Sequence, residues 1–231
     1  MKVHTKETQA TMTPEKAIRF LKEGNERFQN NLKANRNLLQ QVNETKDGQF
    51  PFATILSCID SRVSAELVFD QGLGDIFSIR IAGNFVNQDI LGSMEFACKL
   101  AGTKTVVVLG HTSCGAIKGA CDHARLGNLT ALINKIEPAV FETKMPKDES
   151  LRNSKNSEFV DAVALKNVEM TLENIRNQSV ILKEMEEKEQ NNSNGFLSVR
   201  DMKQKSVFKD IFVETGHPEH AVNSVTEQLE D

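Results

Sequence analysis

The run "FPFATILSC" (50–58) is apolar at nearly every position and has the length of a buried strand. Two other runs share that character: "DIFSIRIAG" (75–83) and "TKTVVVLG" (103–110), the latter β-branched through its centre. Around them the apolar spacing becomes helical. Thr13 as N-cap and Pro14 as first helical residue open an amphipathic helix whose apolar stripe is Ile18, Leu21, Phe28 and Leu32. "SAELVFDQG" reads as a short helix capped by Ser64 and closed by Gly72, and "ILGSMEFACKLAG" (90–102) as a helix ending at Gly102. After Cys114 the pattern turns helical and stays so to about 190, with "MPKDESLRNSKNSE" as a loop or a helix break. "SVFKDIFVETG" (206–216) reads as an edge strand before a polar tail from about 217.

Apolar strands alternating with helices predict an α/β fold: a mainly parallel central β-sheet flanked by helices. A helical arm over about 13–35 precedes it, and 1–231 reads as one domain.

Composition narrows the function. The chain is 39% hydrophobic and 26% charged with net charge −4, and it lacks Trp and Tyr. No basic block or aromatic platform suits nucleic acid. No apolar run approaches the roughly 20 residues of a membrane helix, and the start lacks a signal-peptide core, so a cytoplasmic location is expected. Four cysteines (Cys58, Cys98, Cys114, Cys121) are too few for a disulfide framework, which leaves packing, metal binding or nucleophilic chemistry.

Two motifs bear on that choice. "LSCIDSRV" (56–63) sets Cys58, Asp60 and Arg62 at alternate positions, which in a strand would face one pocket. "HTSC" places His111 and Cys114 just after the clearest strand. Open α/β sheets gather ligands at the carboxyl ends of strands. If the two strands are neighbours, two thiolates and an imidazole converge, a set that suits Zn²⁺ and leaves one position open, as catalytic zinc requires. A lone cysteine beside a strand is ordinarily packing, and Asp60 with Arg62 is ordinarily an ion pair. The five residues together point to a site.

At these residues a resemblance emerges. "SCIDSRV", "FDQGLGDIFSIRIAGN", "GSMEFA" and "VVVLGHTSCGAIKGA" closely resemble the β-class carbonic anhydrases, nearly without gaps from about Phe52 to Ala120. The resemblance implies Zn²⁺ on Cys58, His111 and Cys114, and reversible hydration of CO₂ to bicarbonate and a proton. Zinc would lower the pKa of bound water from 15.7 towards roughly 7, and the resulting hydroxide would attack CO₂. Asp60 would orient that hydroxide while Arg62 keeps Asp60 ionised and off the metal. In some members this aspartate becomes a fourth ligand and closes the site. Gln49 is implied to bind bicarbonate. Phe77 and Phe96 are implied to wall the CO₂ site from a partner subunit in a homodimer or homotetramer. Phe96 stands where Tyr is common, and Ile81 where Asn is usual.

Rival readings are a CS₂ or COS hydrolase on the same fold, a non-catalytic zinc-binding protein, and a thiol-dependent hydrolase or redox protein using Cys58. Cys98 and Cys121 read as core residues. His4, His123, His217 and His220 read as surface residues.

Overall fold

A computed structural model describes residues 3–191 and 198–199. Three helices come first: α1 (Lys6–Ala10), α2 (Pro14–Gln29) and α3 (Leu38–Glu44). Then follow β1 (Ala53–Ser57), α4 (Ala65–Val68), β2 (Ile76–Arg80), α5 (Gln88–Glu95), β3 (Thr105–Leu109) and α6 (Gly115–Cys121). The chain continues through α7 (Gly127–Glu142), α8 (Ser157–Gln178), α9 (Val180–Asn191) and the two-residue β4 (Ser198–Val199).

The strands pair in parallel in the order β2-β1-β3-β4. Strand β1 is central, and the chain leaves it first towards β2 and then crosses back to β3. That reversal opens a crevice at the carboxyl ends of β1 and β3. Ser57 is paired with Leu109, so Cys58 and His111 leave the sheet at the same end.

Alternation along the strands feeds two apolar layers. Ile55, Val107 and Leu109 face one layer, with Ile18 and Leu21 of α2, Ile133 and Ile136 of α7, and Phe159 and Val163 of α8. Leu56, Val106 and Val108 face the other, with Leu91 and Met94 of α5, Leu172 and Ile175 of α8, and Leu182 of α9. Helix α8 thus serves both layers, one with each half.

Thr13 caps α2 as expected, accepting from the Lys16 N–H, and Pro14 opens the helix. The buried stripe is shorter than the sequence suggests: Phe28 is 39% and Leu32 63% exposed, because α2 ends at Gln29. Helix α4 ends sooner than expected. Ser64 makes no capping bond and instead donates to Glu66 (3.0 Å), while Asp70, at φ 42°, turns the chain before Gly72. The 90–102 helix changes to π-helical winding over Phe96–Leu100 before Gly102 (φ +81°). His4 is half-buried against Phe52 and Phe20, not on open surface, and burial lowers its pKa. The 206–216 strand, His217, His220 and the tail lie outside the described residues.

Candidate metal centre

Cys58, His111 and Cys114 converge at the crevice. Their donor atoms all lie within 4.8 Å of one another, and all three residues are buried. Cys58 Sγ and Cys114 Sγ are 3.8 Å apart. The hydrogen bond with Cys114 pulls the Cys58 thiol well below its ordinary range, against its burial. The same contact and burial push Cys114 up.

His111 is 1% exposed, and its Nδ1 lies 2.9 Å from the Thr112 carbonyl. A carbonyl can only accept, so Nδ1 carries the proton and Nε2 presents its lone pair. That buried Nε2 has no hydrogen-bond partner among the described residues. An orphaned imidazole nitrogen beside two sulfurs asks for a cation. Two thiolates about 2.3 Å from a tetrahedral zinc stand about 3.8 Å apart, so the donor set fits zinc.

Asp60 and Arg62 flank this set, by a turn and not by strand alternation. Strand β1 stops at Ser57, and the Val63 N–H donates to the Asp60 carbonyl (3.1 Å). The turn folds Arg62 onto Asp60. Its Nε donates to Oδ1 (2.9 Å), its Nη2 to Oδ2 (2.7 Å) and its backbone N–H to Oδ1 (3.0 Å). These bonds hold the Asp60 carboxyl well below the usual carboxylate range. Asp60 Oδ2 stands 4.0 Å from His111 Nε2, so the carboxylate borders the metal set while Arg62 holds both its oxygens.

Two other anticipated residues, Phe77 on β2 and Phe96 just after α5, lie together. Phe77 and Phe96 meet edge-on with ring centres 6.3 Å apart. They line an open cleft of about 1280 Å³ along β2, the outermost strand on that side among the described residues, and Phe96 is 52% exposed. Gln49 is exposed, ahead of β1. Cys98 and Cys121 are core thiols, as expected, each pushed up to about 11 by burial. His123 is exposed and pairs with Glu137 at 2.8 Å.

Sequence reading missed the residues that set the backbone around the ligands. Arg80 donates from Nε to the Cys58 carbonyl (2.9 Å) and from Nη2 to the Asp60 carbonyl (2.6 Å), buttressing their turn. The Gly83 N–H donates to Cys58 Sγ (3.5 Å), and Asn167 on α8 donates to the Gly83 carbonyl (2.8 Å). A signal for Asn167 was present: it interrupts the apolar stripe Val160, Val163, Ala164, Val168 of a core helix.

A parallel α/β sheet with an open Cys₂His set at its switch point, edged by an Asp–Arg pair, defines a metal-centred protein of the α/β class. The carbonic anhydrase family model matches residues 53–200, and the chain belongs to the β-carbonic anhydrase family. Carbonic anhydrase 2 of Mycobacterium tuberculosis is 40% identical over 140 residues, which is 55% of this chain and 65% of that protein's length. The match therefore spans just under two thirds of that relative. Among solved structures, the Coccomyxa β-carbonic anhydrase in complex with acetazolamide superposes with a TM-score of 0.55 at 24% identity, covering 63% of this chain and 66% of the other. A tetrameric β-carbonic anhydrase of Sordaria macrospora gives 0.54 at 24%, covering 62% and 72%. These two share the fold.

Proposed function

We propose that the protein catalyses CO₂ + H₂O ⇌ HCO₃⁻ + H⁺ with zinc held by Cys58, His111 and Cys114. The observation that carries this reading is the unpartnered, buried His111 Nε2 facing two sulfurs, with an Arg62-clamped Asp60 oxygen 4.0 Å away. Zinc supplies a Lewis acid that makes water nucleophilic near neutral pH.

The chain's own groups supply the rest. Asp60, kept ionised by Arg62, can only accept. It takes a hydrogen bond from the attacking water and fixes which lone pair meets CO₂. Arg62 holds the carboxylate bidentately and restrains it from swinging into the metal position. Two thiolates temper the acidity that the metal confers, so orientation by Asp60 matters more here than beside three neutral imidazoles. Gln49 is assigned to bicarbonate on the family resemblance.

A homo-oligomer fits the open cleft. Phe96 and Phe77 present aromatic surface beside the outer edge of β2, which has no partner strand among the described residues, and a second subunit would cover both. The solved Sordaria relative is tetrameric. No helix among the described residues is long and apolar enough to cross a membrane. Four free buried cysteines suit a reducing cytoplasm.

Stopped-flow CO₂ hydration by zinc-loaded protein, with COS and CS₂ assayed alongside, tests the reading. Turnover of CO₂ no faster than that of a Cys58→Ser variant would overturn it.

A further inference from the structure

Helix α8 contributes no metal ligand, yet it reaches the backbone on both sides of the ligand set. Asn167 lies where the helix passes from one apolar layer to the other: Ala164 belongs to the first and Val168 to the second. It is 3% exposed, and it uses its amide to donate to the Gly83 carbonyl at 2.8 Å. A carboxamide on a core stripe costs stability unless its partner repays it. Here the partner carbonyl belongs to Gly83, the residue whose own N–H meets the Cys58 sulfur.

Gly83 is held from three directions. Its φ of +77° is a conformation glycine adopts at little cost. A Cβ there would lie 2.4 Å from Ile136 Cδ1 on α7, so the peptide sits hard against that helix. Its N–H points at Cys58 Sγ, 3.5 Å away. The order is therefore Asn167 amide, Gly83 carbonyl, Gly83 N–H, Cys58 sulfur. Near its other end α8 holds the second ligand loop: the Ser113 N–H, at φ 54° between His111 and Cys114, donates to Asp161 Oδ1 at 3.3 Å.

We propose that Asn167 is a positioning residue for the metal centre: by holding the Gly83 carbonyl it keeps the Gly83 N–H on Cys58 Sγ and fixes that sulfur's direction and electron density. An N–H donated to a metal-bound thiolate draws charge from the sulfur and limits its rotation. Loss of such outer-shell partners costs about 10–100-fold in metal affinity. Asn167 is a polar residue where the stripe calls for an apolar one, and this role accounts for it. The inference rests on Cys58, His111 and Cys114 binding a metal.

The test uses full-length protein loaded with Co²⁺, whose sulfur-to-metal charge-transfer band reports the thiolates directly, together with Zn²⁺ affinity by chelator competition. Asn167→Leu keeps the side-chain size and removes the donor; Asn167→Ala is the second variant should Leu fail to fold. Val168→Ala, a core truncation one residue along, controls for general loosening of α8. The expected result is a shifted charge-transfer band and a zinc affinity about 10–100-fold weaker in the Asn167 variants. Val168→Ala should lower the urea midpoint while leaving band and affinity unchanged. A normal band and affinity in the Asn167 variants, or equal changes in Val168→Ala, overturn the positioning role alone. Wild-type protein that shows no thiolate band with Co²⁺ overturns the metal reading, and the positioning role with it.

Discussion

Cys58 Sγ and Cys114 Sγ lie 3.8 Å apart although 56 residues separate them, because β1 and β3 are neighbours and end level. Nothing local holds the sulfurs together. The sheet does, so the pair exists only in the folded chain. Cys58→Ser replaces a thiolate with a hydroxyl that stays protonated at neutral pH and ligates zinc poorly. Its zinc affinity should fall by more than the roughly 10–100-fold that losing an outer-shell partner costs. Metal analysis after dialysis against a chelator checks this: zinc retained at wild-type level would remove Cys58 from the ligand set.

Arg62→Lys separates charge from geometry. A lysine keeps the positive charge but cannot make the paired Nε and Nη2 bonds that Arg62 makes to Asp60. Zinc content should stay at the wild-type level, since Arg62 supplies no donor atom, while CO₂ hydration falls about 10–100-fold. Metal analysis and stopped-flow rates on one preparation measure both. Unchanged activity would show that charge alone suffices and that the fork is incidental.

Much of this was legible in the sequence because the signals were local. Apolar runs marked β1, β2 and β3, and Thr13 with Pro14 marked the start of α2. Strand-end placement then brought His111 and Cys114 to Cys58. Features set by tertiary contact were not legible. Cys58, Asp60 and Arg62 alternate as a strand would, yet they converge through a turn, since Asp60 bonds the Arg62 N–H instead of extending β1. Gly72 looked like a helix stop, but Asp70 adopts the positive φ, held by Arg27 of α2 and by the Ala34 N–H and Arg36 that follow α2 in the chain. Arg80 and Asn167 act on backbone atoms, and a residue's own sequence neighbours do not reveal which distant carbonyl it will meet.

Gly83 and Ile136 should behave as a coupled pair. Gly83→Ala places a Cβ 2.4 Å from Ile136 Cδ1 in a left-handed conformation. The backbone costs about 1–2 kcal/mol, and the overpacking about 1–3 kcal/mol. Ile136→Val deletes the clashing Cδ1 and alone costs about 0.5–1.5 kcal/mol. The double variant should be more stable than the sum of the two losses predicts, by about 1 kcal/mol or more in a urea-denaturation cycle. Strict additivity would mean that the chain relieves the clash some other way.

Asp70 gives a pH-dependent stability test that involves none of the metal ligands. It is 7% exposed, and burial alone would raise its carboxyl pKa. Hydrogen bonds from Arg27, from the Ala34 N–H (3.0 Å) and from Arg36 (2.6 Å) outweigh burial and hold the carboxyl below its ordinary range. In the unfolded chain the same carboxyl titrates near about 3.9. As pH falls, the unfolded state therefore takes up the proton first. The stabilisation is complete above about pH 4–5 and declines as pH drops through the lower, folded value. Asp70→Asn leaves Arg27 and Arg36 facing a neutral amide in a buried site, and should cost about 3 kcal/mol at pH 7. The gap from wild type should narrow at pH 3, where the wild-type carboxylate is losing its advantage. Urea-unfolding free energies of both proteins at the two pH values decide the matter: a gap that stays constant or widens on acidification would mean that the ionised carboxylate is not what Asp70 contributes.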